Sequence, residues 1–350
     1  MPLNQNTNLQ FAKQTVVARF VDPSGAMVAR DIEIRTNPIS GRTSRIAFSR
    51  TGEKEAGTDR LPEPPPDALD TSTCPFCQPQ VNTATPRLND QISTKDRLEE
   101  GASILFPNLF PYGSYSAVSL IDNTHFREIG TATWESYAGS FLNAANYLNL
   151  IRQQDPEAVY MAITQNHLPS AGGSLLHPHL QINADPIPSN HHRFLAQRTK
   201  TYFETSGRRL FEDYLNCEKE KGSRFIGQTG PWHWVAAYAP EGFFEIWGIC
   251  PGVTSTAELS APDWQGLAQG VCHTQKFYRS LNRNGYNLGL LTIENDRSHL
   301  ELRITLMVRS NHAPWVRNDH TGFEVMLGDM ATFTAPEETA AMARPFWNSK

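Results

Sequence analysis

The sequence predicts an α+β fold made of two tandem copies of one unit, each an antiparallel sheet with a helix packed on it. Three observations predict it. Strand-like runs flank two long segments with helical periodicity. The order strand, helix, strand, strand occurs twice. Matching positions keep a nearly constant separation, about 130 residues from Trp134 to Trp264 and about 120 from His177 to His299. The units are placed at residues 1–185 and 186–350.

Taken in order, VVARFVDP, MVARDIEIRTNP and TSRIAFS read as strands broken by turn residues at PSG and NPISG. LPEPPPDALD (61–70) is too rich in proline for a helix or a central strand, so it reads as an exposed connector leading to TCPFCQ. The first unit then runs through AVSLIDNTHF as a strand, ATWESYAGSFLNAANYLNLIRQQ as a helix, and AVYMAITQN and HPHLQINA as strands. The second runs through WVAAYAPEGFFEIWGIC, APDWQGLAQGVCHTQKFYRSLNRN, YNLGLLTIEN and HLELRITLMVR. Trp134, Phe141, Leu142, Ala145 and Leu148 lie at helical spacing, as do Trp264, Leu267, Val271, Tyr278 and Leu281, and both stripes are expected in the core.

Composition narrows the function. Hydrophobic residues at 39% and charged residues at 19% describe a globular chain. A net charge of −5 with no cluster of Lys and Arg argues against a nucleic-acid partner. No basic segment followed by an apolar stretch opens the chain, and no window approaches the roughly 20 apolar residues of a membrane span. A soluble, cytoplasmic protein without a membrane partner is expected. Five cysteines are too few for a disulfide framework.

The chemistry is expected in GGSLLHPHLQINAD (172–185). In an extended strand His177, His179 and Gln181 share one face, with Leu176, Leu180 and Ile182 on the other. The second unit has His299, Glu301 and Arg303 instead, so imidazole chemistry belongs to the first. A neutral His179 is a competent nucleophile toward phosphorus. SAGGS before it has small residues that let backbone amides approach phosphate oxygens, and Gln181 offers an amide donor. Each feature also has an ordinary structural reading, as a core histidine, a turn or a surface glutamine. Cys74 and Cys77 fit either two ligands of a tetrahedral zinc or a redox pair. His125 and His177 are attractive partners for them.

HPHLQ preceded by ITQNHLPSAGGS resembles the active-site segment of the galactose-1-phosphate uridylyltransferase family, the nucleotidyl-transferring branch of the histidine-triad superfamily. RTNPISGRTSRIAFSR, CPFCQPQVNTATP, FPNLFP, RLFEDYLNCEKEKGSRFI, HWVAAYAPEGFFEIWGICP and GFEVML resemble further segments of that family, in order, over about residues 30–343. The resemblance implies that His179 is the nucleophile and carries a nucleoside monophosphate. It implies that Gln181 holds the phosphate oxygens, with Ser174 and Gly173 on the same phosphates. Asn166 and Asn108 match positions near the nucleotide, Arg50 a cation near the phosphates, and Glu324 a sugar-contacting residue. Cys74, Cys77, His125 and His177 match the ligands of a structural Zn2+. The implied reaction moves a nucleoside monophosphate, UMP in the family, between sugar 1-phosphates, with a nucleotide-sugar as donor. The alternative acceptor is inorganic phosphate, as in a nucleoside-diphosphate-sugar or dinucleotide phosphorylase. A non-catalytic nucleotide-binding or zinc-stabilised structural protein is the third reading. The family forms homodimers, and one is expected here.

The sequence also departs from the family. SHLELRITLMV lacks the histidine pair of a second metal site, and Leu195 stands where a glutamate ligand is expected. Met330 replaces a sugar-contacting glutamine and cannot make its hydrogen bonds. LPS after Asn166 alters the phosphate loop. Galactose specificity is therefore not implied.

Overall fold

The computed structural model describes residues 9–47, 61, 63–294, 299–309 and 321–348. The elements run β1 (Lys13–Val21), β2 (Met27–Thr36), β3 (Thr43–Ala47), a short α1 (Val81–Ala84), β4 (Leu98–Glu100), β5 (Ser103–Pro107) and β6 (Tyr115–Leu120). Then come α2 (Trp134–Gln154), β7 (Tyr160–His167), β8 (His179–Asp185), α3 (Asn190–Ser206), α4 (Leu210–Lys221), β9 (Phe225–Thr229), β10 (Trp232–Ala236) and β11 (Phe243–Cys250). The chain continues with α5 (Ala261–Ser280), β12 (Gly285–Ile293), β13 (Leu302–Arg309), β14 (Met330–Thr332) and α6 (Pro336–Asn348).

Ten strands form one antiparallel sheet in the order β4-β5-β6-β8-β7-β12-β13-β11-β10-β9. α2 connects β6 to β7, and α5 connects β11 to β12, so each long helix bridges strands at matching places in the order. β7 and β12 pair directly, with Asn166 opposite Asn287 and Thr164 opposite Gly289. The two runs of strands therefore share one sheet. A second sheet, β1-β2-β3-β14, has β14 parallel to β3.

The expected stripes are core. Phe141 of α2 stacks on Trp264 of α5 with centroids 5.9 Å apart, and Leu148, Leu267, Val271 and Tyr278 are buried with them. Thr133 caps α2 by accepting from the Ser136 N–H, and a Ser260–Asp263 capping box starts α5. α5 approaches β10 so closely that a Cβ at Gly270 would fall 1.9 Å from Trp234, so only glycine fits there. The other face of the sheet is covered in two patches. One lies under α3 and α4 around Tyr214 and Trp247; the other joins Phe106, Val118 and Leu120 to Val81 and Phe76 of the cysteine loop.

Several expectations change. The strand expected from His177 begins at His179, because Pro178 has no N–H to donate and its carbonyl accepts from Ile121 instead. The strand expected over 117–126 ends at Leu120, which leaves His125 in the following loop. The run 234–250 is a hairpin of β10 and β11 turned by APEG. α3 and α6 had no counterpart in the sequence reading.

Candidate active site

The site is built at the start of β8. Leu180 and Ile182 point into the core beneath the helices, so His179 and Gln181 take the opposite face. The His179 Nδ1–H donates to the His177 carbonyl at 2.7 Å. That bond places the proton on Nδ1 and leaves Nε2 with a lone pair, and Nε2 has no partner among the described residues. Burial pushes the His179 pKa down, against the carbonyl bond, which favours the proton. Burial thus favours the neutral ring, and Nε2 carries no proton.

Phe76, between the two cysteines, fixes the ring from the side. Its centroid lies 5.2 Å from His179 at 80°, 6.2 Å from His177 and 5.2 Å from Phe106. The CxxC spacing alone does not mark the phenylalanine between the cysteines.

Cys74, Cys77, His125 and His177 converge, with their ligand atoms all within 4.8 Å of one another. Cys77 Sγ lies 3.3 Å from His125 Nδ1 and 3.5 Å from His177 Nδ1. The outer nitrogens are occupied: His125 Nε2 donates to the Ala68 carbonyl and His177 Nε2 to the Asp122 carbonyl, each at 2.9 Å. Both rings therefore turn Nδ1 lone pairs inward, as a metal-bound imidazole requires. Donors about 3.5–4 Å apart suit a tetrahedral ion with bonds of about 2.0–2.3 Å. Burial, with Cys74 alongside, pushes the Cys77 thiol up to about 11, a cost that a dication among the four groups reverses. The cluster could hold a metal, and His177 connects it to His179 through one carbonyl. The His125 loop is clamped by the ion pair of Asp122 with Arg127 at 2.7 Å and by the Thr124 N–H on Asp122 at 2.8 Å. Burial opposes these bonds, but they hold the Asp122 carboxyl below its ordinary value.

The glycine loop packs back on β7. A Cβ at Gly173 would lie 2.8 Å from the Asn166 carbonyl oxygen and 3.0 Å from that of Leu168. Gly172 has φ +87, and Ser174 is exposed beside it. Asn166 Oδ1 accepts from Asn287 Nδ2 at 2.7 Å, and the same amide donates to the Ala171 carbonyl at 2.9 Å. Asn287, on β12, was not singled out in the sequence and ties the loop to the far half of the sheet. His167, also overlooked, lies on the core face, stacked on Tyr286 at 5.1 Å, and burial pushes it down to about 4.

Two of the remaining candidates bond within their own turns. Asn108 Oδ1 accepts from the Phe110 N–H at 3.0 Å and shapes the turn after β5. Glu324 lies in the turn before β14, accepting from the Thr321 N–H at 2.8 Å, and no described hydrogen bond or ion pair joins it to His179 or Gln181. Arg50 lies outside the described residues.

No protein-family model matches the sequence. An uncharacterized protein of Archaeoglobus fulgidus is 26% identical over 343 residues, covering 97% of this chain and 99% of that protein. A galactose-1-phosphate uridylyltransferase of Neurospora crassa is 28% identical over 194 residues, covering 53% of this chain and 49% of that one. An ADP-glucose phosphorylase of Arabidopsis thaliana is 23% identical over 285 residues, covering 73% of this chain and 76% of that one. The fold matches the crystal structure of an Arabidopsis thaliana ADP-glucose phosphorylase with bound ADP-glucose at TM-score 0.68 and 20% identity, covering 89% of this chain and 98% of that one. It matches a uridylyltransferase structure at TM-score 0.62 and 16% identity, covering 90% and 98%.

Proposed function

Because the chain belongs to the galactose-1-phosphate uridylyltransferase-like family of the histidine-triad superfamily, we propose that it transfers a nucleoside monophosphate through a covalent bond to His179. The observation that carries this is the Nδ1–H bond to the His177 carbonyl, which leaves Nε2 unprotonated and without a partner among the described residues. Nε2 attacks the α-phosphorus of a nucleotide-sugar, an N–P bond forms, and the P–O bond to the departing sugar 1-phosphate breaks. An oxygen of the acceptor phosphate then attacks phosphorus, the N–P bond breaks, and the ring returns neutral. Gln181, half-buried on the same face, donates its amide to the non-bridging oxygens as charge grows there. Gly173, Ser174 and Asn166 hold the phosphates from the adjoining loop, with Asn108, Arg50 and Glu324 as outer contacts to substrate.

The cysteine and histidine cluster suits a structural zinc, whose chemistry is to cross-link the cysteine loop to the chain entering β8. Transfer of UMP between sugar 1-phosphates is the first reading. Transfer to inorganic phosphate is the second, supported by Met330, which is buried in β14 and offers no amide to a sugar. Two tandem units, 1–185 and 186–350, are supported by the matching places of α2 and α5. A homodimer is supported by the exposed Phe110, Tyr112 and Met326, apolar surface that a partner would cover. No described helix is long and apolar enough to cross a membrane.

Intact-protein mass spectrometry after incubation with UDP-glucose or ADP-glucose tests the reading. The expected result is a gain of one nucleoside monophosphate, absent in His179→Ala, and discharged by glucose 1-phosphate or by phosphate according to the acceptor. An adduct that persists in His179→Ala rejects the assignment.

A further inference from the structure

A cavity of about 500 Å3 lies over β11, β12 and β13, on the face of the sheet that also carries Gln181. That size suits a small-molecule ligand. Arg303 on β13 lines it, its guanidinium 4.3 Å from the Trp247 ring and 5.1 Å from that of Phe211. Among the described residues no carboxylate comes within ion-pair distance of Arg303, and its guanidinium donates no hydrogen bond. Glu245 and Glu241 attract it without pairing, and the acids nearby make their hydrogen bonds elsewhere. Glu245 accepts from Trp247 Nε1 and the Glu241 N–H, and burial pushes it up to about 7. Glu301 accepts from the Gly252 N–H at 2.7 Å and the Glu212 N–H at 2.9 Å. Arg42, at the rim, is paired with Glu241. The Arg303 N–H donors line the cavity between aromatic walls with no acceptor among the described residues, and an anion there would supply one.

The cavity floor points the same way. Gly289 sits in the middle of β12, opposite Thr164 on one side and Thr305 on the other. A Cβ there would meet nothing nearer than Leu291 Cδ1 at 4.0 Å. A glycine inside a central strand weakens it, and no neighbour requires this one; such bare backbone suits a molecule lying directly on it.

We infer that this cavity is a second ligand site, which takes a small organic oxyanion with its phosphate or carboxylate on Arg303 and its planar or apolar body over Gly289. The place that His179 holds on the first half is taken here by a carboxylate already bonded to two amides, so the site binds without transferring. Asn287 lines the cavity and also donates to Asn166, which links occupancy to the loop beside His179.

Titration calorimetry with AMP as the phosphate probe and benzoate as the carboxylate probe tests this. In the His179→Ala protein at least one probe still binds at one site per chain. Arg303→Met weakens that binding at least tenfold. Gly289→Val, which fills the floor and leaves Arg303 in place, does the same. Both variants still form the nucleotidyl adduct, so failure here and failure of the His179 reading are separable. The inference is overturned if neither probe binds, or if binding in Arg303→Met and Gly289→Val matches the parent.

Discussion

Phe76→Ala separates packing from positioning. The ring touches Phe106, His177 and His179 edge-on at centroid distances of 5.2, 6.2 and 5.2 Å. Truncating a fully buried phenylalanine costs about 3–5 kcal/mol, and Phe76 is only part-buried, so about 2 kcal/mol of stability is at stake. In a chain of this length that corresponds to a fall in Tm of about 3 °C. The effect on chemistry is larger. His179 keeps its carbonyl bond but loses the wall that limits rotation about it, and a displacement of about 1 Å at a reacting atom costs on the order of 100-fold in rate. Single-turnover adduct formation from a nucleotide-sugar, followed by mass, is expected to slow 10- to 100-fold, with apparent substrate affinity and metal content little changed. Phe76→Leu restores part of the rate. If Phe76→Ala lowers Tm while forming the adduct at the parental rate, the ring only fills space and the positioning argument fails.

Two further outcomes follow from the same geometry. Cys77→Ser removes the sulfur that faces both imidazoles, and zinc retained after dialysis should fall well below one equivalent per chain, with slower adduct formation; full zinc content in this variant would show that the cluster does not hold the ion. Glu337 pairs with Arg35 at 3.0 Å and Arg224 at 2.7 Å; burial opposes ionisation, but the two guanidiniums hold the carboxyl down at about 2, against 4.5 ordinarily. A carboxyl depressed on folding stabilises above its unfolded pKa and loses that contribution as pH falls toward its folded value. Discounted for partial exposure, the contribution is about 2 kcal/mol. The advantage of the parent over Glu337→Gln in urea unfolding should therefore be full at pH 6 and mostly gone near pH 2.5; an equal gap at both would refute it.

What could be read from the sequence was what is local. Alternation in β7 and β8 separates Leu180 and Ile182 from His179 and Gln181, and a helical stripe needs only its own twenty residues to declare a buried face. α3 was missed because it buries only His192, Leu195 and Thr199, too thin a stripe, although Ser189 and Gly207 cap its ends. α6 buries little more than alanines and carries Pro345 inside it, a residue that counts against a helix interior. The contacts of Phe76 with His179 and of Asn287 with Asn166 are made between segments about 100 or more residues apart. Nothing in the local pattern around either residue marks the partner. His125 is the intermediate case, since its residue type was legible, but the loop that aims it depends on the ion pair of Asp122 with Arg127.

The difference between the two halves is one of polarity as well as residue type. β8 and β13 occupy matching places in the strand order. At the head of β8, His179 is a donor, giving its Nδ1–H to a carbonyl two residues back. Just before β13, Glu301 is an acceptor for two backbone N–H groups, and burial pushes its carboxyl up while those bonds hold it down. A histidine placed at 301 could not accept both, and each buried N–H left unpaired would cost about 1–3 kcal/mol. The second half is thus built around an acceptor at this place, so a single substitution would not put a nucleophile there. The open floor at Gly289 and Arg303, which pairs with no described carboxylate, then suit the binding without transfer inferred for that cavity.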